Sequence, residues 1–265
     1  MSTSYLHSLS SYFNYRISSK TKYSVHSPFV YDLITKVFEG KEQVDQYDQI
    51  HKAYRELCRN SRVLETTDFG SSKGRMVYMT KFLSVSKIAR SSSINRKSGE
   101  LLFRLAASLQ PSSVLELGTA LGISTLYMAK AVPDAKIVTI EGCAAKVEVA
   151  RANFYKLSAT NIEVCTGRFD TQLHDVLEKT GKPDFVFMDG HHQYRPTLEY
   201  FRQILNHSHE GTVIVLDDIH WSVGMEKAWK AIQAFPEVMV TIDLYRMGLV
   251  FLRKSLSKQN FIIRY

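Results

Sequence analysis

A chain of 265 residues, 45% hydrophobic and 23% charged, has room for one large α/β domain with an appendage and the composition of an ordinary globular protein. No stretch approaches the ~18 apolar residues of a membrane span, and residues 1–20, rich in Ser and Tyr, lack the apolar core of a secretory signal, so no membrane partner is expected. Cys58, Cys143 and Cys165 stand without metal-binding spacing and read as thiols of a reducing, cytoplasmic setting. The net charge of +8 is unevenly placed: residues 1–110 hold 17 Lys and Arg against 9 Asp and Glu, and residues 111–265 hold 17 of each. A basic N-terminal part attracts an anionic substrate, a nucleic acid or an anionic surface, or forms a solvated face that keeps the chain soluble.

In chain order, Tyr5, Leu6, Leu9, Tyr12, Phe13 and Ile17 fall near helical spacing. A break at residues 24–28 follows, with Ser27 as N-cap and Pro28 at the first helical position. Phe29, Val30, Leu33, Ile34, Val37 and Phe38 then form an apolar helix face that Gly40 ends. Residues 43–60 read as an amphipathic helix. Residues 68–75 are Gly/Ser-rich and basic but lack the ending of a phosphate-binding P-loop, and read as a flexible loop. A short helix is expected at 81–89, a polar linker at 91–97, and a helix from Ser98 to Leu109 that Pro111 stops.

From residue 113 the alternation is regular. Apolar runs at 113–118, 136–141, 162–166, 184–189 and 212–217 are separated by helical patterns of 10–15 residues. Five such alternations argue a parallel, doubly wound sheet. The last two runs, 238–244 and 249–252, are joined by a link too short for anything but an antiparallel pair.

Ligands of such sheets sit at the carboxyl ends of the strands. The first strand ends in Glu116-Leu117-Gly118-Thr119-Ala120-Leu121-Gly122-Ile123-Ser124, where the break at Gly118 and the restart after Gly122 place free backbone N–H groups and a helix N-terminus beside the strand. The second ends at Glu141, about 23 residues beyond Gly118, the usual reach for a carboxylate that holds a ribose diol. The third ends in Gly167-Arg168-Phe169-Asp170, the fourth in Asp189-Gly190-His191-His192, and the fifth in Asp217-Asp218-Ile219-His220-Trp221. Three carboxylates at neighbouring strand ends, Asp189, Asp217 and Asp218, repel one another unless a cation compensates, and oxygen ligands suit Mg²⁺ or another hard divalent ion. One Asp capping a helix and another holding a loop is the structural alternative. The adjacent histidines are candidates for a general base, a transition-metal site or structural roles.

These motifs, in this order, resemble the class I S-adenosylmethionine-dependent methyltransferases, and among them the catechol/caffeoyl-CoA-type O-methyltransferases and their sugar-modifying relatives. The resemblance covers residues ~98–254 and implies a Rossmann-like seven-stranded sheet, mostly parallel with a reversed last strand. It implies S-adenosylmethionine as cofactor, with Gly118, Thr119 and Gly122 along its methionine part, Glu141 on the ribose, and Arg168 and Phe169 beside the adenine. Glu116, Ser124, Gly167 and Asp189 complete the expected cofactor contacts. Asp189, Asp217 and Asp218 fall where the family holds Mg²⁺ or another divalent cation. Asp218 stands where the catechol-type enzymes have Asn, and His192 where they have a Lys base, so His192 and Asp189 are the expected catalytic pair. The implied substrate is a small hydroxylated molecule. The three expected divisions are an N-terminal helical cap over 1–97, a methyltransferase domain over 98–254 and a tail over 255–265, with aromatics of residues 1–60 serving as a lid or a homodimer contact. A second reading is a nucleic-acid methyltransferase using the basic N-terminal part; the Asn-Pro-Pro-Tyr-type motif of adenine N-methylating enzymes is absent after the fourth strand.

Overall fold

The computed structural model describes residues 3–40, 45–68 and 79–265. In chain order its elements are α1 (Thr3–Ser18), α2 (Pro28–Leu33), α3 (Asp45–Leu57), β1 (Val63–Asp68), β2 (Met79–Ser84), α4 (Val85–Ser92), α5 (Arg96–Leu109), β3 (Ser113–Leu117), α6 (Ile123–Ala131), β4 (Lys136–Glu141), α7 (Ala144–Lys156), β5 (Ile162–Thr166), α8 (Phe169–Thr180), β6 (Phe185–Met188), α9 (Tyr194–Asn206), β7 (Val213–Asp217), α10 (Val223–Ala234), β8 (Val240–Asp243), β9 (Met247–Phe251) and β10 (Gln259–Ile262). The fold is mixed α/β, with mostly parallel strands. The chain divides into two compact units, residues 41–179 and residues 1–40 with 180–265.

In the unit of residues 41–179, β3, β4 and β5 lie side by side and parallel, with Leu115 opposite Val138 and Ile140 opposite Cys165. Both faces of β3 and β4 are covered, which is why these strands read as unbroken apolar runs. Helix α6 is buried on every side from Ile123 to Ala129; a helix apolar all round belongs in a core. Helix α5 begins two residues earlier than Ser98, at Arg96, because the Asn95 side chain accepts the Ser98 N–H at 3.0 Å and so caps it. It ends at Gln110, left-handed at φ +47°, just before Pro111. The expected helix at 81–89 is half strand: 79–84 pairs antiparallel with 63–68 along its whole length, and α4 starts only after Ser84 caps it. The pairing partner lies more than ten residues away, beyond the reach of a local pattern. The Gly/Ser-rich segment 68–75 lies outside the described residues from 69 onward.

In the other unit, Ser27 caps α2 as expected, accepting the Val30 N–H at 3.4 Å with Pro28 at the first position. Its strands run in the order β10-β8-β9-β7-β6, and β9 alone is antiparallel to its neighbours. A seven-stranded, mostly parallel sheet with a reversed last strand was expected; among the described residues β10 is a further strand, formed within residues 255–265 and paired parallel with β8, Phe261 opposite Ile242. The N-terminal helices pack against this end of the chain. The Tyr15 hydroxyl donates to the Ile263 carbonyl at 2.6 Å, and Phe29 meets Phe251 edge-on at 5.0 Å.

Gly122 sits at φ +84°, and a Cβ there would lie 2.4 Å from Cε1 of Phe154. Strain and overlap therefore add. Gly122→Ala is expected to cost about 2–4 kcal/mol, read as a lowered midpoint in thermal unfolding.

Candidate functional site

The turn between β3 and α6 is built around Glu116. This side chain has no exposed surface. Its oxygens accept the hydroxyls of Ser124 at 2.6 Å, Thr125 at 2.5 Å and Thr139 at 2.6 Å. One carboxyl group thus ties the strand end to the first turn of α6 and to the middle of β4. A carboxyl group this enclosed cannot reach a ligand, and the Ser124 hydroxyl is committed to it. Glu116 and Ser124 thus brace the turn.

The brace leaves the turn itself open to use. Gly118 is left-handed at φ +107° and donates its N–H to Ile140 at 3.0 Å. Thr119 is buried with its hydroxyl 2.6 Å from that of Thr139. Glu141 at the end of β4 accepts the Ala120 N–H at 2.9 Å on one oxygen and the Cys143 N–H at 2.9 Å on the other. Lys146 Nζ stands 4.0 Å from it. Each of those oxygens keeps a further lone pair, since a carboxylate offers about four acceptor sites. The Gly167 N–H donates to the Glu141 carbonyl at 2.9 Å, which places the third strand end beside the second. Arg168 forks onto Asp170, its Nε 2.8 Å from Oδ1, and Phe169 opens α8. The structure thus brings Gly118, Thr119, Gly122, Glu141 and Gly167 together around one strand–turn–helix edge.

The other unit carries the carboxylates. Asp189 follows β6, Asp217 ends β7, and Asp218 comes next at φ +52°. His191 and His192 are also left-handed, at φ +62° and +38°. Three non-glycine residues in that region within one cluster store backbone strain of the kind that functional loops carry. His192 Nε2 lies 3.3 Å from Asp189 Oδ1, and Arg246 reaches Asp218 Oδ1 at 3.3 Å. Asp217 differs: its Oδ1 is buried without a hydrogen-bond partner. Burial, then the charges of Asp189 and Asp218, push the Asp217 carboxyl well above the usual carboxylate range. Burial likewise raises Asp218, against the pull of His192 and Arg246. Burial by itself would lower His192, but the Asp189 contact and the charges of all three carboxylates more than reverse it, and the imidazole is raised. Among the described residues, no three His, Cys, Asp or Glu side chains are grouped as a finished metal cage. The orphaned Asp217 oxygen and the mutual repulsion are the two features that a hard cation would relieve.

The two other histidines at these strand ends, His191 and His220, are held by neighbours. His191 Nδ1 lies 2.8 Å from the Tyr200 hydroxyl and its ring stacks on Tyr200. His220 is held at Nε2 by Asp243, 2.8 Å, and at Nδ1 by Glu226, 2.9 Å, with the Ser11 hydroxyl 3.0 Å from the same nitrogen. Sequence spacing gives no sign of this group, since its members come from α1, the β7–α10 loop, α10 and β8. Burial opposes the charge on His220, yet the two carboxylates outweigh it and raise the imidazole. A raised folded pKa adds stability that is complete below the ordinary histidine value and fades as pH rises through the raised one. His220→Asn is therefore expected to flatten the fall in melting temperature that the native chain shows from neutral to mildly alkaline pH.

Comparison with known proteins places this geometry. Residues 115–219 match the family described as a methyltransferase domain. A catechol O-methyltransferase of Niastella koreensis is 33% identical over 130 residues, covering 48% of this chain and 58% of that protein. A catechol O-methyltransferase of Mycobacterium tuberculosis is 32% identical over 129 residues, 48% of this chain and 56% of that protein. The chain thus spans little more than half the length of these relatives. Among solved structures, SAH-bound methyltransferase PaMTH1 of Podospora anserina superposes with a TM-score of 0.62 at 14% identity, over 87% of this chain and 98% of that one. The O-methyltransferase TomG of Streptomyces achromogenes, solved with SAM, gives 0.57 at 20% identity over 84% and 95%. At these identities the likeness is one of fold.

Proposed function

We propose that this chain, whose residues 115–219 match the methyltransferase-domain family, transfers a methyl group from S-adenosylmethionine to a hydroxyl of a small molecule, assisted by a divalent cation. The observation that carries the reading is the strand-end arrangement around Gly118 and Glu141. A left-handed glycine turn, backbone N–H groups and a nearly buried carboxylate with spare lone pairs suit a nucleoside with a charged tail. The relatives named catechol O-methyltransferase and the SAM- and SAH-bound neighbours support the same donor.

In this reading Glu141 holds the ribose diol, and Gly118, Thr119 and Gly122 give the methionine part a close backbone approach that larger residues would block. Gly167, Arg168 and Phe169 border the base. Bound S-adenosylmethionine supplies an electrophilic methyl group on a sulfonium. Asp189, Asp217 and Asp218 would hold the cation, and the fit rests on the partnerless Asp217 oxygen. Such an ion, when bound, supplies the charge that acidifies a substrate hydroxyl. Methyl transfer is an in-line displacement, so much of the rate comes from the fixed position of the two reactants.

His192 receives the hydroxyl proton. Asp189, 3.3 Å from Nε2, favours the imidazolium that forms and so makes His192 a stronger acceptor than a free imidazole. Turnover is then expected to rise with pH as His192 loses its proton, and His192→Gln to remove that rise while leaving donor affinity unchanged.

Calorimetric titration with S-adenosylmethionine tests the donor site. Native protein is expected to bind it, and Glu141→Gln to bind roughly ten- to a hundredfold more weakly, as loss of a charge-assisted pair implies. Mg²⁺ added to the native protein is expected to give its own heat of binding, which Asp217→Asn abolishes. Absence of any donor binding with and without Mg²⁺ would overturn the methyltransferase reading; donor binding with no Mg²⁺ heat would overturn only the cation.

A further inference from the structure

Helix α1 is turned the wrong way round for a surface helix. At 3.6 residues per turn, Leu9, Tyr12, Phe13 and Ile17 share one arc and His7, Ser11, Asn14, Tyr15 and Ser18 the opposite one. The ordinary arrangement buries the first arc. Here the polar arc lines a cavity of 380 Å³, and Ser11 bonds to Glu226 at 2.5 Å. The apolar arc faces out, with Leu9 53%, Tyr12 47%, Phe13 66% and Ile17 69% exposed.

The charged side chains on α1 and at its C-terminal end are basic, while the carboxylate of Glu226 meets the opposite arc at Ser11. Arg16 is exposed within the apolar arc itself, and Lys20 and Arg264 stand at its C-terminal end, where Arg264 Nη2 donates to the Arg16 carbonyl at 3.1 Å. None of the three pairs with a carboxylate side chain among the described residues. The first acidic residue of the chain is Asp32. Residues 1–31 hold Arg16, Lys20 and Lys22 and no carboxylate side chain, and the proposed methyl transfer makes no use of them.

We propose that α1 is a peripheral docking element for an anionic lipid surface. The apolar stripe enters the interface, and Arg16, Lys20 and Arg264 meet the headgroups. Insertion of this kind differs from spanning, for which no described helix is long and apolar enough. Two arguments favour lipid over a second copy of the chain. Four half-exposed side chains of about 150–250 Å² each offer well short of the about 800 Å² per partner that a stable interface needs. A self-contact through the stripe would also bury Arg16 against an apolar face with no carboxylate to answer it, whereas at a headgroup layer the arginine stem lies along the apolar surface and its head reaches the phosphates.

Co-sedimentation of the full chain with vesicles tests this. Vesicles of about 30% phosphatidylserine in phosphatidylcholine are compared with phosphatidylcholine alone at about 50 mM salt, where surface electrostatics are weakly screened. At least about tenfold stronger partition onto the anionic vesicles is expected. Phe13→Ser with Ile17→Ser, and separately Arg16→Glu with Lys20→Glu, should each lower it by about tenfold, while Phe13→Trp should keep it and show a blue-shifted emission on binding. All substituted side chains are exposed, and unchanged far-ultraviolet dichroism checks that the variants fold. Equal or absent partition on the two vesicle types overturns the proposal. So does sedimentation velocity showing a native dimer that Phe13→Ser with Ile17→Ser converts to monomer, since the stripe is then covered by a second copy.

Discussion

A carboxyl group with no exposed surface, accepting three hydroxyl hydrogen bonds, holds the turn between β3 and α6 on which the proposed donor site depends. Glu116 contributes nothing to a ligand directly. Burying its charge without partners would cost several kcal/mol, and Ser124, Thr125 and Thr139 offset that cost by closing around it. The consequence is geometric. The first turn of α6, the end of β3 and the middle of β4 are locked to one point. With these fixed, Gly118 and Gly122 can adopt left-handed backbone, and the nearly buried Glu141 accepts two backbone N–H groups with lone pairs to spare. A buried polar network that is fully satisfied is rigid, and rigidity is what a positioned methyl donor requires.

The carboxylates of the other unit follow the opposite principle. Burial, with the charge of Asp189 beside it, raises the proton affinity of Asp217 and Asp218, and the Asp217 oxygen is left without a partner. His191, His192 and Asp218 hold strained backbone around them. A protein built for stability alone would not keep these features. Unpaired charge, strain and burial at one set of strand ends are the usual marks of groups that acquire their partner only when loaded.

His220 contrasts with His192 a short distance along the same strand ends. Both are raised by carboxylates. His220 has both ring nitrogens engaged by Asp243 and Glu226 and serves to hold α1, α10 and β8 together through Ser11. His192 engages one nitrogen with one carboxylate and keeps the chemistry of a proton acceptor. The difference lies entirely in how many partners the ring has.

Much of this was legible in the chain itself. Strands buried on both faces must be apolar without alternation, so the five parallel runs from residue 113 announced themselves. Ligands sit where such strands end, so reading Gly118, Glu141, Gly167, Asp189 and Asp217 off those ends required no coordinates. Local chemistry also fixed the cap at Ser27 and the stop at Pro111. What the sequence left undecided depended on partners distant in the chain. The 79–84 strand exists because 63–68 pairs with it. Strand β10 exists because β8 offers an edge, and Glu116 became a brace because Thr139 lies opposite, on the neighbouring strand. The inward turn of the polar arc of α1 was likewise set by Glu226 and His220, more than two hundred residues away. Periodicity reports which face of an element is apolar; only the packed chain decides which face is buried, because that choice belongs to the partners and not to the element.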